Sequence, residues 1–373
     1  MLILLIFFTT ASLLFAMANA IDVKTRYTQS PWLLYSLPLL LVILMFGLRD
    51  GWMTDFPIYE YVFEHPATDD MYEPVFVLLN TVMRGLGFSF NGALTVYAAC
   101  TFTGLFMIAK LDRRMTGVMM IIFVSISLSF VSNTIRWATA SGFIFASIAL
   151  LDRKQYVAAV AVGLISPLIH TVIAVLLVVT WLLYFFPFIR NRYILLPLTF
   201  LSTLIPPSLL ISILFNAATG IYDSGGIDSD VTAAGYVSDE YTIEKYFAGE
   251  RSEFGDAMTI VFKLRFFALF IWLLWEGQEL IKRFPTKRLY KLGYQMAFIY
   301  SILLFPTWGI ELTIRFVYFF FYGVAILAAP LLFWEWKERR YIWLAIGVLL
   351  LLFNFYSSVK TIDSGFHMNY IML

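Results

Sequence analysis

Residues 49–59 read Arg-Asp-Gly-Trp-Met-Thr-Asp-Phe-Pro-Ile-Tyr and follow directly on an apolar run over 31–48. A membrane helix needs about 20 apolar residues to cross a hydrocarbon core of roughly 30 Å, and this run is close to that length. An arginine and two aspartates at its mouth have to be solvated by headgroups, water or a ligand, because charge is costly inside the bilayer. Further apolar runs lie near 2–20, 92–110, 116–133, 134–151, 155–171, 172–188, 193–215, 258–275, 292–310, 315–334 and 341–358. The pattern predicts an all-α, polytopic integral membrane protein with about 12 transmembrane helices, forming a single transmembrane domain over 1–373.

Composition agrees. Of 373 residues, 61% are hydrophobic and 14% charged, with a mean hydropathy of +0.81. A soluble domain usually carries about 25% charged residues. The net charge of +1 gives no reason to expect nucleic acid as a partner. A single cysteine, Cys100, excludes an intrachain disulfide and a cysteine metal cluster. No Gly-x-Ser-x-Gly, His-Glu-x-x-His or Walker sequence occurs, so nucleophilic and zinc catalysis find no support, and neither metal nor cofactor is expected. Asp228-Ser229-Asp230 mimics a metal-binding Asp-x-Asp but reads as a solvated turn. The start, 1–20, ends in Ala18-Asn19-Ala20 like a signal-peptidase site, yet lacks the positive n-region, and is expected to remain as an uncleaved first helix.

One segment is too short to span. Glu73 to Leu86 is apolar and amphipathic, opens on Asp70-x-x-Glu73 and Pro74, and meets Gly85 and Gly87 at its far end. At about 1.5 Å per residue it covers roughly 21 Å, so it is expected to be a re-entrant or surface helix. Charge supports that choice. With the first helix running outside to inside, the inner loops hold Lys24 and Arg26, then Lys110, Arg113 and Arg114, then Arg153 and Lys154, and the basic clusters at 190–192, 282–291 and 337–340. This follows the positive-inside rule, and a crossing at 73–86 would turn every later cluster outward. The large loop over 216–257, rich in Gly, Ser and acids, then faces out, on the periplasmic side of a bacterial inner membrane.

This topology gathers the ionisable groups of the membrane helices on the outer side. Arg49, Asp50 and Asp55 end the second helix. Arg136 opens 134–151, His170 closes 155–171, Lys263 and Arg265 follow the large loop, and Glu311 and Arg315 bracket another outer turn. Each has a plainer role: Asp55 before Pro57 suits a helix cap, Arg49 can snorkel to headgroups, His170 can bridge two helices, and Glu311 with Arg315 can pair at i,i+4. The stripe Ala138, Gly142, Ala146 suits close helix packing. Arg136, in the first turn of its helix, sits where the dipole disfavours a cation. Several arginines around an outer cavity suit a lipid-linked pyrophosphate, since arginine binds phosphate oxygens in a fork. His170 or Asp55 beside them is placed to take a proton from an attacking hydroxyl.

The order Arg49, Asp55, Tyr59, then Glu73 before the short helix, then Asn133-Thr134-Ile135-Arg136, then Leu168-Ile169-His170-Thr171 resembles the EpsG family of bacterial polysaccharide polymerases, grouped with the Wzy O-antigen and capsule polymerases. The likeness covers roughly 40–190 well and the C-terminal half through Arg315-Phe316-x-Tyr318-Phe319. Family members usually carry Gln after the arginine, where this chain has Trp137. The resemblance implies a GT-C-like membrane glycosyltransferase that joins undecaprenyl-pyrophosphate-linked oligosaccharide repeat units at the periplasmic face. The charged outer face then makes His170 and Asp55 the expected catalytic candidates and puts Arg49, Arg136, Arg265 and Arg315 on the pyrophosphate. Asp50, Tyr59, Glu73, Lys263 and Glu311 would bind or support substrate, and a chain-length regulator and membrane lipid would be further partners. A lipid-linked oligosaccharide flippase, and an O-antigen ligase or acyltransferase, are the competing classes.

Overall fold

Each apolar run carries a helix in the computed structural model, which describes residues 2–50, 55–67, 72–187, 191–205, 260–307, 311–365 and 369–370. The large loop over 216–257, with Asp228-Ser229-Asp230, lies outside the described residues. The helices pack as two compact units: 1–187 with 328–373, and 188–327.

The first unit contains α1 (Leu2–Lys24), α2 (Pro31–Gly47), α3 (Phe56–Glu64), α4 (Pro74–Gly85), α5 (Phe90–Ala109), α6 (Thr116–Asn133), α7 (Ile135–Asp152), α8 (Tyr156–Ile169) and α9 (Ala174–Phe185). The second contains α10 (Arg192–Ser202), α11 (Ile260–Arg283) and α12 (Arg288–Leu303). Helix α13 (Glu311–Lys337) contributes residues to both, and α14 (Tyr341–Gly365) belongs to the first. A two-residue antiparallel pair joins β1 (Arg49–Asp50) to β2 (Asn369–Tyr370). Four described helices are long and apolar enough to cross a membrane: Ile3–Lys24, Phe90–Ala109, Ile135–Asp152 and Arg315–Lys337. Further apolar stretches of 10–17 fully described residues lie in α2, α6, α8, α9, α10 and α14, so length and composition support a membrane protein but not by themselves the count of 12.

Packing in the first unit centres on α5 and α7. A Cβ on Gly104 would lie 2.0 Å from the Gly142 carbonyl oxygen, and one on Gly142 would lie 2.8 Å from the Cys100 carbonyl oxygen. The two backbones therefore touch directly, which is what the small-residue stripe predicts. Helix α6 passes to α7 through one non-helical residue, Thr134. Helix α8 passes to α9 through His170 and a 3-10 turn, Thr171–Ile173.

Helix α4 is 12 residues long, about 18 Å, well short of a bilayer core. Pro74 occupies its first turn, as expected. Its far end closes as a Schellman motif: Gly87 N–H donates to the Arg84 carbonyl and Phe88 N–H to the Met83 carbonyl, with Gly87 at φ +76°. Phe76 and Met83 of α4 join Phe56, Tyr59, Val62 and Phe63 of α3, Phe90 and Tyr97 of α5, and Ile135 in one apolar core. Tyr97 donates to Asn80 across 2.6 Å inside it.

The α5–α7 contact yields a testable difference between two glycines. Gly104→Ala must push the helices apart, and overpacking of this kind costs about 1–3 kcal/mol. Nothing lies within 4 Å of a Cβ at Gly85. Thermal unfolding in detergent should show a clear drop for Gly104→Ala and none for Gly85→Ala; equal melting temperatures would mean that the crossing is loose.

Candidate functional site

Glu73 stands at the N-cap position of α4, but its carboxylate makes no cap hydrogen bond. It reaches across to two other helices. Oε2 lies 2.6 Å from Arg136 Nη1 in the first turn of α7, and Oε1 lies 3.0 Å from His170 Nδ1 at the end of α8. The Thr171 amide donates to the same Oε1 at 3.0 Å. The capping-box reading of Asp70-x-x-Glu73 is thus corrected: Glu73 is itself the N-cap, so the helix starts three residues later than that box requires and the carboxylate lies outside the first turn, turned to α7 and α8. Asp70 lies outside the described residues.

The cluster is half-hidden and strongly polarised. Burial works to raise the Glu73 carboxyl, but the His170 hydrogen bond, the Arg136 charge and the Thr171 amide outweigh it and hold the group down at about 2. The Arg136 guanidinium also faces aromatic rings, with its carbon 4.7 Å from the centroid of Tyr72, 5.5 Å from Phe76 and 5.9 Å from Tyr59. An arginine at a helix N-terminus, disfavoured by the dipole, is held here by a carboxylate and ring faces.

His170 is the C-cap of α8, where its own N–H donates to the Ser166 carbonyl. Pro167 inside the last turn cannot donate to the Gly163 carbonyl, which accepts from the Ser166 hydroxyl at 2.6 Å. An ionised carboxylate only accepts, so the ring nitrogen facing it, Nδ1, carries the proton. In the neutral ring Nε2 then holds the lone pair. That is the tautomer a proton acceptor needs.

Arg49 behaves differently from a snorkelling residue. It is 3% exposed, and its guanidinium donates to the Phe46 carbonyl at the end of α2 and, at 3.0 Å, to the Ser132 carbonyl at the end of α6. Terminal carbonyls lack helical partners and carry the negative end of the dipole, so a cation turns inward to meet them. Asp55 stands at the N-cap of α3, yet its side chain makes no cap hydrogen bond, which corrects the capping expectation. Its backbone N–H donates to Asn133 Oδ1 at 3.1 Å and so ties the start of α3 to the α6–α7 break. Tyr59 is buried in α3 beside Arg136. Asp50 pairs through its backbone with Asn369.

The remaining candidates belong to the second unit. Arg265 lies in α11 with its guanidinium carbon 4.4 Å from the Phe266 ring centroid. Arg315 is half-buried in α13. Lys263 and Glu311 occupy the first turns of α11 and α13, with side chains outside the described set. Among the described residues no group of His, Cys, Asp and Glu could hold a metal ion. Sequence reasoning missed Tyr72 and Phe76, which face Arg136 from the start of α4, and the Thr171 amide, which donates to Glu73 from beyond α8; no spacing rule links these two segments to α7.

The EpsG family model matches residues 32–372. No curated protein and no solved structure matches the chain.

The Glu73 linkage has a defined pH window. Its carboxyl is depressed from the ordinary 4.5 to about 2, so the contact stabilises the fold fully above the ordinary value and is lost as pH falls through the depressed one. Protection of the α4 amides, relative to their intrinsic exchange rate at each pH, should be high at about pH 5 and above and fall between about 4 and 2 in the wild type. In Glu73→Gln the acid-dependent step should vanish; its persistence would assign the transition to another group.

Proposed function

We propose a reaction for this chain from one premise: it belongs to the EpsG family, whose members are membrane proteins of polysaccharide biosynthesis. The reading is a polysaccharide polymerase that joins oligosaccharide repeat units carried on undecaprenyl pyrophosphate, on a twelve-span, GT-C-like scaffold with the site open to the periplasm of a bacterial inner membrane. The observation that supports it best is the Glu73 carboxylate shared between His170 and Arg136 at 3.0 and 2.6 Å. It sets a proton acceptor and a phosphate-binding cation side by side.

In this mechanism a hydroxyl of the acceptor unit attacks C1 of the donor sugar. His170 Nε2 takes the hydroxyl proton as the new C1–O bond forms, with Glu73 holding Nδ1–H and so fixing the ring. The bond from C1 to the pyrophosphate oxygen breaks, and undecaprenyl pyrophosphate leaves with the electron pair. Glu73 occupies one Nη of Arg136; the guanidinium keeps further N–H donors for phosphate oxygens. Attack opposite the leaving group inverts C1. Asp55 is the alternative base, and Arg49, being committed to helix ends, is given a structural role here.

Purified protein in lipid, supplied with undecaprenyl-pyrophosphate repeat units, should lengthen them without a second acceptor and without a nucleotide sugar. Transport without bond formation would mark a flippase, and transfer only to an added second acceptor would mark a ligase. His170→Ala should lower polymerisation by about 10²–10⁴-fold. Arg136→Lys should recover little activity, because a point charge replaces a fork. Full turnover in both variants would remove this site from the chemistry.

Orientation has its own check. In a Cys100→Ala background, a cysteine at Ser229 should react with an impermeant thiol reagent added outside and one at Thr286 should not. The reverse pattern would put the Glu73 cluster on the cytoplasmic side.

A further inference from the structure

The end of the first unit opposite Glu73 is also charged, and its cations are matched unequally. Helices α2 and α6 end at the Glu73 side, with Arg49 and Ser132, while α7 begins there with Arg136. The start of α2 and the ends of α5 and α7 therefore lie together at the other side. Here Arg113 donates to Asp22 at 3.1 Å and to the Tyr27 and Gln29 carbonyls at 2.7 Å. Arg114 pairs with Asp112 at 2.9 Å.

Lys110, the C-cap of α5, has no such partner. It is only 6% exposed, yet its ammonium faces two rings, 3.9 Å from the centroid of Trp32 and 5.7 Å from Phe106, and no carboxylate or carbonyl among the described residues accepts from it. Burial, together with the Arg153 charge at the end of α7, pushes its pKa down to about 8. A largely covered lysine whose ammonium lies against rings, with no carboxylate or carbonyl acceptor among the described residues and a second cation acting on it, is stabilised by an anion that reaches the ammonium. Trp32, in the first turn of α2, is 44% exposed beside it. Tryptophan favours the headgroup level of a membrane.

We propose that Lys110, Arg153 and Trp32 form a binding site for the phosphate of an anionic membrane lipid, at the end of the unit opposite Glu73. The phosphate supplies the acceptor that Lys110 lacks, Arg153 adds a second positive charge from the adjacent helix end, and the Trp32 ring lies against the glycerol and upper acyl chain. The inference goes beyond the polymerase reading and does not depend on it, because it uses residues from the other end of the helices.

The full chain in nanodiscs of phosphatidylcholine with added phosphatidylglycerol tests it. Native mass spectrometry of protein released from the discs should show phosphatidylglycerol retained in preference to phosphatidylcholine. Lys110→Gln should cut that preference about fivefold, the factor expected for one basic residue beside an anionic surface. Arg153→Gln, an exposed change that leaves the fold intact, should lower it as well. Inorganic phosphate added at equal concentration should not displace the lipid. Unchanged retention in both variants would overturn the proposal. So would displacement by inorganic phosphate, which would mark a free-anion site in place of a lipid site.

Discussion

An ionised carboxylate placed among aromatic rings has to be surrounded by donors, and Glu73 finds its donors on two other helices. Arg136 comes from the start of α7 and His170 and the Thr171 amide from the end of α8. The requirement fixes the N-terminus of α4 against both helix ends. Through the Tyr97–Asn80 hydrogen bond and the ring cluster of Phe76, Tyr59 and Phe90, it also positions α3, α4 and the first half of α5 over the same place. Removing the negative charge would leave a half-buried guanidinium facing only rings, so the pair is worth more to the fold than an exposed ion pair of similar length.

The same need to satisfy polar groups explains the neighbouring helix ends. Arg49 closes the carbonyl ends of α2 and α6, and Asn133 accepts from the Asp55 amide where α6 gives way to α7. These contacts join the segment after α2 to the helix that carries Arg136. A frame of this kind holds Arg136 and His170 at a fixed separation, as the proposed reaction would require.

The two ends of the unit follow different electrostatic rules. At the Glu73 end one carboxylate serves two basic groups. At the other end Asp22 and Asp112 each hold an arginine, and Lys110 is left facing rings. Buried ions are tolerated where partners complete them, and the proposed lipid phosphate would supply the anion that Lys110 lacks among the described residues. Chemistry at one end and anchoring at the other would divide the labour along the same helices α5 and α7.

Sequence by itself determined the class and much of the local structure. Apolar run lengths announced the helices, Pro74 and Gly87 marked the ends of α4, and Ala138, Gly142 and Ala146 marked the close crossing of α7 with α5, because each depends on neighbours in the chain or on helical period. It also singled out Arg136, His170 and Glu73 as residues of interest. Only the tertiary structure decided that one carboxylate joins the other two, 63 and 97 positions away. It likewise decided that Arg49 turns inward to carbonyls, that Asp55 leaves its cap unmade, and that Lys110 stands unpaired among the described residues. A side chain's choice between water, backbone and a distant partner depends on which helix ends the packing brings within about 3 Å, and no local period encodes that distance.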